Sequence, residues 1–123
     1  MENVKVLSAT TLIGDSVKNP QGEDLGNLKE IMIDVNSGSI AYAVLSFGGF
    51  LGLGDKLFAI PWEAFTVNTE KKHVVLNVDK ERLKDAPGFD KDNWPKTPNA
   101  DYITQVHAYY GYKPYWERVH EHY

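Results

Sequence analysis

Cysteine is absent from the 123 residues, which removes disulfides, thiolate nucleophiles and thiolate metal ligands and fits a reducing compartment. No apolar run approaches the roughly 18 residues that a membrane-spanning helix needs. Residues 1–5 carry neither the basic start nor the apolar segment of a secretion signal, so a soluble, cytoplasmic product is expected. An excess of positive charge is missing too. Thirteen Lys and Arg against seventeen Asp and Glu leave a formal charge of −4, which argues against a nucleic-acid partner, because such binding rests on Lys and Arg neutralising phosphates.

Signatures of catalysis are equally scarce. Glu23 and Asp24 are adjacent, and neighbours on a strand point to opposite sides, whereas acid and base groups must converge on one substrate. Four glycines, Gly48, Gly49, Gly52 and Gly54, crowd one loop. Yet Asp55 and Lys56 follow, not the Lys-Ser/Thr pair of a phosphate loop at a helix mouth. No serine elbow is present. His120 and His122, with Glu117 and Glu121 nearby, have the side-chain chemistry of metal ligands. Residues two apart do not face each other on a helix, however, and no metal or cofactor is assigned. An enzyme would have to use Glu30, Asp34 or Glu63 converging in one concavity.

What is present is a period of two with frequent turns. A helical turn over residues 8–14 with Ser8 as N-cap is followed by Val17 and a Pro-then-Gly turn at residues 19–22. Residues 26–35 form a strand with Ile31, Ile33 and Val35 on one face and Glu30, Met32 and Asp34 on the other. After a turn at residues 36–39, residues 40–47 return as a hairpin partner. This strand is apolar on both faces and is therefore central. Residues 56–61 are a third strand ended by Pro61. Residues 66–68 and 73–78 make a second hairpin, and residues 79–84 form a helical turn capped by Asp79. Several short strands at this spacing indicate a small barrel or sandwich, with Leu45, Phe47, Ile60 and Trp62 in its core.

Composition changes at Pro87 and Gly88. Of five Phe, three Trp and seven Tyr, nine lie beyond residue 88. Residues 90–98 lack periodicity and run extended. Residues 100–110 read as a helix with Asp101 as N-cap, Tyr102, Ile103, Val106 and Tyr110 on one side, and Gly111 as the stop. Pro114 opens a last short helix that gathers Trp116, Val119 and Tyr123. A tail this aromatic docks on something, either its own barrel or another chain.

Residues 12–14 (Leu-Ile-Gly), 22–26 (Gly-Glu-Asp-Leu-Gly), 41–49 (Ala-Tyr-Ala-Val-Leu-Ser-Phe-Gly-Gly) and 57–62 (Leu-Phe-Ala-Ile-Pro-Trp), in this order and spacing, resemble the PRC-barrel family. That family includes the cytoplasmic part of the photosynthetic reaction-centre H subunit, a domain of ribosome maturation factors, and small stand-alone bacterial and archaeal proteins. Residues 88–95 and 106–111 resemble the C-terminal extension of the stand-alone members. The resemblance implies a small, strongly bent antiparallel barrel of about six strands that holds partners and shares no catalytic residue. These 123 residues contain neither the membrane helix of the H subunit nor the second, RNA-linked domain of the maturation factors.

The expected architecture is thus mainly β: a small antiparallel PRC-type barrel over residues 1–87, and an aromatic extension over residues 88–123 with one or two short helices. The expected role is a non-enzymatic interaction and assembly module. It self-associates, with a dimer favoured, and takes a protein partner that could itself be membrane-associated. Phe50, Leu51 and Leu53 on the glycine loop, with Trp94, Tyr110 and Trp116 in the extension, are the candidate interface, since exposed apolar patches and aromatics mark contact surfaces. The alternatives are a small enzyme using the barrel-mouth carboxylates and an RNA- or ribosome-associated factor.

Overall fold

A computed structural model describes residues 5–48, 56–71, 73–90, 94–96 and 98–118. Helix α1 (Ala9–Leu12) precedes strands β1 (Ser16–Lys18), β2 (Asp24–Asp34), β3 (Ser39–Phe47) and β4 (Lys56–Ile60). A 3-10 turn (Trp62–Ala64) leads into β5 (Phe65–Asn68) and β6 (His73–Leu76). Helices α2 (Lys80–Lys84), α3 (Ala100–Tyr109) and α4 (Tyr115–Arg118) complete the order. The strands form one sheet, β4-β3-β2-β1-β6-β5, curled into a half-barrel.

Strand β3 lies between β2 and β4, antiparallel to both, as its two apolar faces require. Ala43, Leu45 and Phe47 enter the core inside the curl, with Val17, Leu25, Leu28, Phe58, Ile60, Val74 and Leu76. Tyr42 and Val44 point the other way, with Leu57 and Ala59 of β4, into a second core against Ile103 and Tyr115 of the extension. The alternation along β4 is strict, so one sheet serves two cores. Of the residues expected in the core, Leu45, Phe47 and Ile60 are buried, while Trp62 is only partly buried against Phe65, with ring centroids 5.7 Å apart.

One pairing departs from the all-antiparallel expectation. β1 and β6 are parallel, with Val17 opposite Val74 and Lys18 opposite Val75. The cause lies at the 3-10 turn. β1 to β4 reverse direction at each step, and β5 and β6 reverse again, but from β4 to β5 the chain keeps its direction while turning the corner after Pro61. Skipping one reversal brings β6 up beside β1 in the same sense, and it carries the chain from one edge of the sheet to the other.

Gly26 of β2 sits against the backbone of β3 at Ser46 and Phe47. Its φ is +116°, and an added Cβ would lie 2.0 Å from the Ser46 carbonyl oxygen. Two bulges interrupt the β2–β3 ladder, between Leu28 and Glu30 and between Met32 and Ile33. β2 is eleven residues long, but β1 covers only its start, from Asp24 to Asn27. Its far half therefore projects past the curl. Ile31 packs against the core, yet Ile33 and Val35 are 57% and 88% exposed.

The extension meets the open edge of β4. Leu57 and Phe89 exchange both backbone hydrogen bonds, at 2.8 and 2.9 Å, which occupies the β4 edge at that point. The N-cap of α3 is Asn99, not Asp101: its side chain accepts from the Tyr102 amide at 3.0 Å. Asp101 falls inside the first turn, where its charge favours the positive helix end. The helix stops as expected at Gly111 (φ +82°). The Tyr112 amide bonds the His107 carbonyl and the Gly111 amide bonds that of Ala108, a Schellman closure. Ser8 and Asp79 occupy N-cap positions but make no side-chain cap bond; the Ser8 hydroxyl instead pairs with that of Thr10 at 2.8 Å. α4 follows Pro114, while the expected companions Val119 and Tyr123 lie outside the described residues.

Candidate functional site

The overhang of β2 creates the first candidate surface. With α1 and the corner after β4 it bounds an apolar groove of about 330 Å³ at the mouth of the half-barrel. Leu7, Leu12, Ile31, Ile33, Ile40 and Trp62 line it, and Lys5 is the charged residue at its rim. Val6 and Leu7 beside it are 86% and 44% exposed. A contiguous apolar surface of this kind on a small domain is characteristic of interaction sites.

A second concavity, of about 340 Å³, lies between the β2–β3 end and the extension, and shares Ile33 with the first. The Tyr115 hydroxyl donates to Asp34 Oδ2 at 2.5 Å, and the Asn36 amide donates to Asp34 Oδ1 at 3.0 Å. These bonds, Tyr115 first, hold the Asp34 carboxyl below its usual value of 3.8. Burial, reinforced by Asp34, pushes Tyr115 up to about 12. Trp116 stands against Tyr115 at 5.1 Å between ring centroids and 78° between planes.

The third feature is one that sequence reasoning missed. His107 is fully buried. Its Nδ1 lies 2.9 Å from the Ile103 carbonyl, which can only accept, so that nitrogen carries the proton. Nε2 lies 3.7 Å from Glu63 Oε2 on the 3-10 turn, and the ring is 6.2 Å from that of Tyr115. The available signal was helical spacing, since His107 is four residues after Ile103 on the inward face of α3.

The carboxylates considered for catalysis are thereby dispersed. Glu30 is exposed on β2, Asp34 engages Tyr115, and Glu63 faces His107. Glu23 accepts from the Asn19 side chain at 2.7 Å, and Asp24 accepts from the Gly26 amide at 3.0 Å, so both serve the turn. No group of three or more His, Asp or Glu suited to a metal ion occurs among the described residues. His120, His122 and Glu121 lie outside them, and Glu117 is exposed.

Of the candidate interface residues, Phe50, Leu51 and Leu53 also lie outside the described residues. Trp94 and Trp116 are half-buried in the outer core, Trp94 with its ring 5.2 Å from that of Phe89. Tyr110 packs at the inner core, with its ring 4.9 Å from that of Tyr109 and its hydroxyl buried with no hydrogen-bond partner among the described residues. Burial raises the Tyr110 pKa.

Among the described residues no helix is long and apolar enough to cross a membrane. No curated protein matches the chain. A family model described as the PRC-barrel domain matches residues 5–83, from the segment before α1 into α2, and the chain belongs to that family.

Proposed function

We propose that this PRC-barrel chain is a non-enzymatic interaction module that associates with a second copy of itself through the mouth of the half-barrel. The observation that supports this reading is the overhanging half of β2. Ile33 and Leu7 line the apolar groove with Ile31, Ile40 and Trp62, and their near neighbours in sequence, Val35 and Val6, stand in solvent. Burying four such side chains in a contact contributes on the order of 1.5–3 kcal/mol each before the cost of association. Two-fold pairing is the commonest way to cover one patch with its own copy. The dispersed carboxylates favour this reading over hydrolysis or isomerisation, and the acidic charge favours it over RNA binding.

The test is the solution mass of paired variants by light scattering. Ile33→Ser with Val35→Ser removes apolar area from the mouth, neither residue belonging to a core cluster, and Phe50→Ser with Leu53→Ser removes apolar side chains from the glycine loop. A shift to monomer in the first pair, with an unchanged far-ultraviolet circular dichroism spectrum, supports the mouth as the contact. A shift only in the second pair moves the contact to the loop, and no shift in either overturns both.

A further inference from the structure

The cavity beneath the extension has a chemistry that the self-association reading does not use. Its volume of about 340 Å³ falls in the range of small-ligand sites. Tyr42, Tyr115 and Trp116 supply aromatic surface, Met32, Ile33 and Ile103 supply apolar surface, and Asp34 supplies the one formal charge among its lining residues. No Lys, Arg or His lines it. The Tyr115 and Trp116 rings stand 78° apart, nearly perpendicular to each other, and the buried Tyr42 also lines the cavity.

Asp34 is held ionised at neutral pH by the Tyr115 hydroxyl and the Asn36 amide, one on each oxygen. The Ser37 amide and hydroxyl add further hydrogen bonds to the same carboxylate, so a cation would meet its charge and not a free lone pair. The opposing influence is the positive N-terminal end of α3 at Ala100. The Asn99 cap and Asp101 in the first turn offset it locally.

We infer that this cavity binds a small organic cation of the quaternary ammonium type, its methyl groups against Tyr115 and Trp116 and its charge facing Asp34. Aromatic faces attract such cations through the ring quadrupole, and poorly hydrated alkylammonium groups lose little water on entering. A carboxylate at the rim adds Coulomb attraction that a neutral ligand of the same shape does not gain. The cavity shares Ile33 with the groove at the mouth, but its aromatic and charged residues, Asp34, Tyr115 and Trp116, are not among those lining the groove, so the choline test reads separately from the dimer test.

The probe is choline chloride, compared with its neutral carbon analogue 3,3-dimethyl-1-butanol at matched ionic strength. Binding is followed by calorimetry and by saturation transfer to the N-methyl protons. The expected result is saturable choline binding that is at least about tenfold tighter than that of the neutral analogue. Asp34→Asn and Trp116→Leu should each weaken choline by about tenfold while the circular dichroism spectrum is retained. If a variant unfolds, the comparison of choline with its analogue on the natural protein still decides. Vesicles of phosphatidylcholine against phosphatidylglycerol separate a lipid headgroup from a soluble ligand, and selective retention on the former assigns the lipid. Equal binding of choline and the alcohol, absence of saturation, or full affinity in both folded variants overturns the inference.

Discussion

The hydroxyl of Tyr115 donates to Asp34 at 2.5 Å, tying the helix after Pro114 to the far end of β2. This contact joins the extension to the hairpin that carries the apolar mouth, and it gives the fold an acid-sensitive link. The folded pKa of Asp34 lies below its ordinary 3.8, so its stabilisation is fully present above that value. It is lost as pH falls through the lowered folded value. Thermal melts of the natural protein and Tyr115→Phe, taken from neutral pH downward, should differ most at neutral pH. The gap should narrow below the ordinary carboxylate pKa. A gap independent of pH would mean that the hydroxyl acts through packing alone.

At the alkaline end the sign reverses. Tyr102 and Tyr115 are both raised to about 12 from 10.0, chiefly by burial, with Tyr42 adding to the first and Asp34 to the second. Between these values the unfolded chain releases protons that the folded chain holds, so stability should fall as pH rises from about 10 to about 12. An ultraviolet phenolate titration should show these two residues ionising late and together with loss of circular dichroism. Early, smooth ionisation of all seven tyrosines in a protein that stays folded would contradict the buried setting.

The extension covers one side of the sheet, so removing it should be costly. Truncation after Pro87 uncovers Tyr42, Val44, Leu57 and Ala59 and frees the β4 edge held by Phe89. Each fully buried large side chain contributes on the order of 2–3 kcal/mol, against a total stability of about 5–15 kcal/mol. The truncated chain should melt well below the full one or aggregate. An unchanged melting temperature would make the extension an independent arm.

Gly26 tests the β2–β3 register. Alanine there meets both a positive φ and the Ser46 carbonyl at 2.0 Å. The strained backbone and the overpacking each cost roughly 1–3 kcal/mol. Gly22→Ala is the control, because its φ is also positive but nothing lies within 4 Å of an added Cβ. Chemical denaturation should place Gly26→Ala clearly below Gly22→Ala. Equal losses would show that the close approach carries no cost.

Much of this architecture was legible because strand periodicity is local. The double-faced apolarity of residues 40–47 is enough to show that both faces of β3 are covered, though the strand lies second from one edge of the sheet, and Gly111 is enough to end α3. The parallel β1–β6 pair was not legible, since it depends on direction being conserved across the 3-10 corner, which no local pattern records. The exposure of Ile33 and Val35 was hidden for a related reason. Alternation says which residues share a face, but only the shortness of β1 determines how far that face is covered. Asp101 reads as the N-cap by residue type, but Asn99, two positions earlier and equally suited, takes that place. His107 is the most buried residue of its helix, and side-chain type alone, which ranks histidine only intermediate in burial, does not reveal it. For the candidate site, side-chain type pointed to the extension's aromatics, while the groove at the mouth required the overhang of β2 to be seen.

The central claim is self-association through the mouth of the half-barrel, and sedimentation equilibrium of the unmodified protein tests it most directly. Across a rising concentration series the account predicts a mass moving to twice the 13.9 kDa of the chain, with Ile33→Ser/Val35→Ser held at the monomer mass. A fit to 13.9 kDa at every concentration would contradict it.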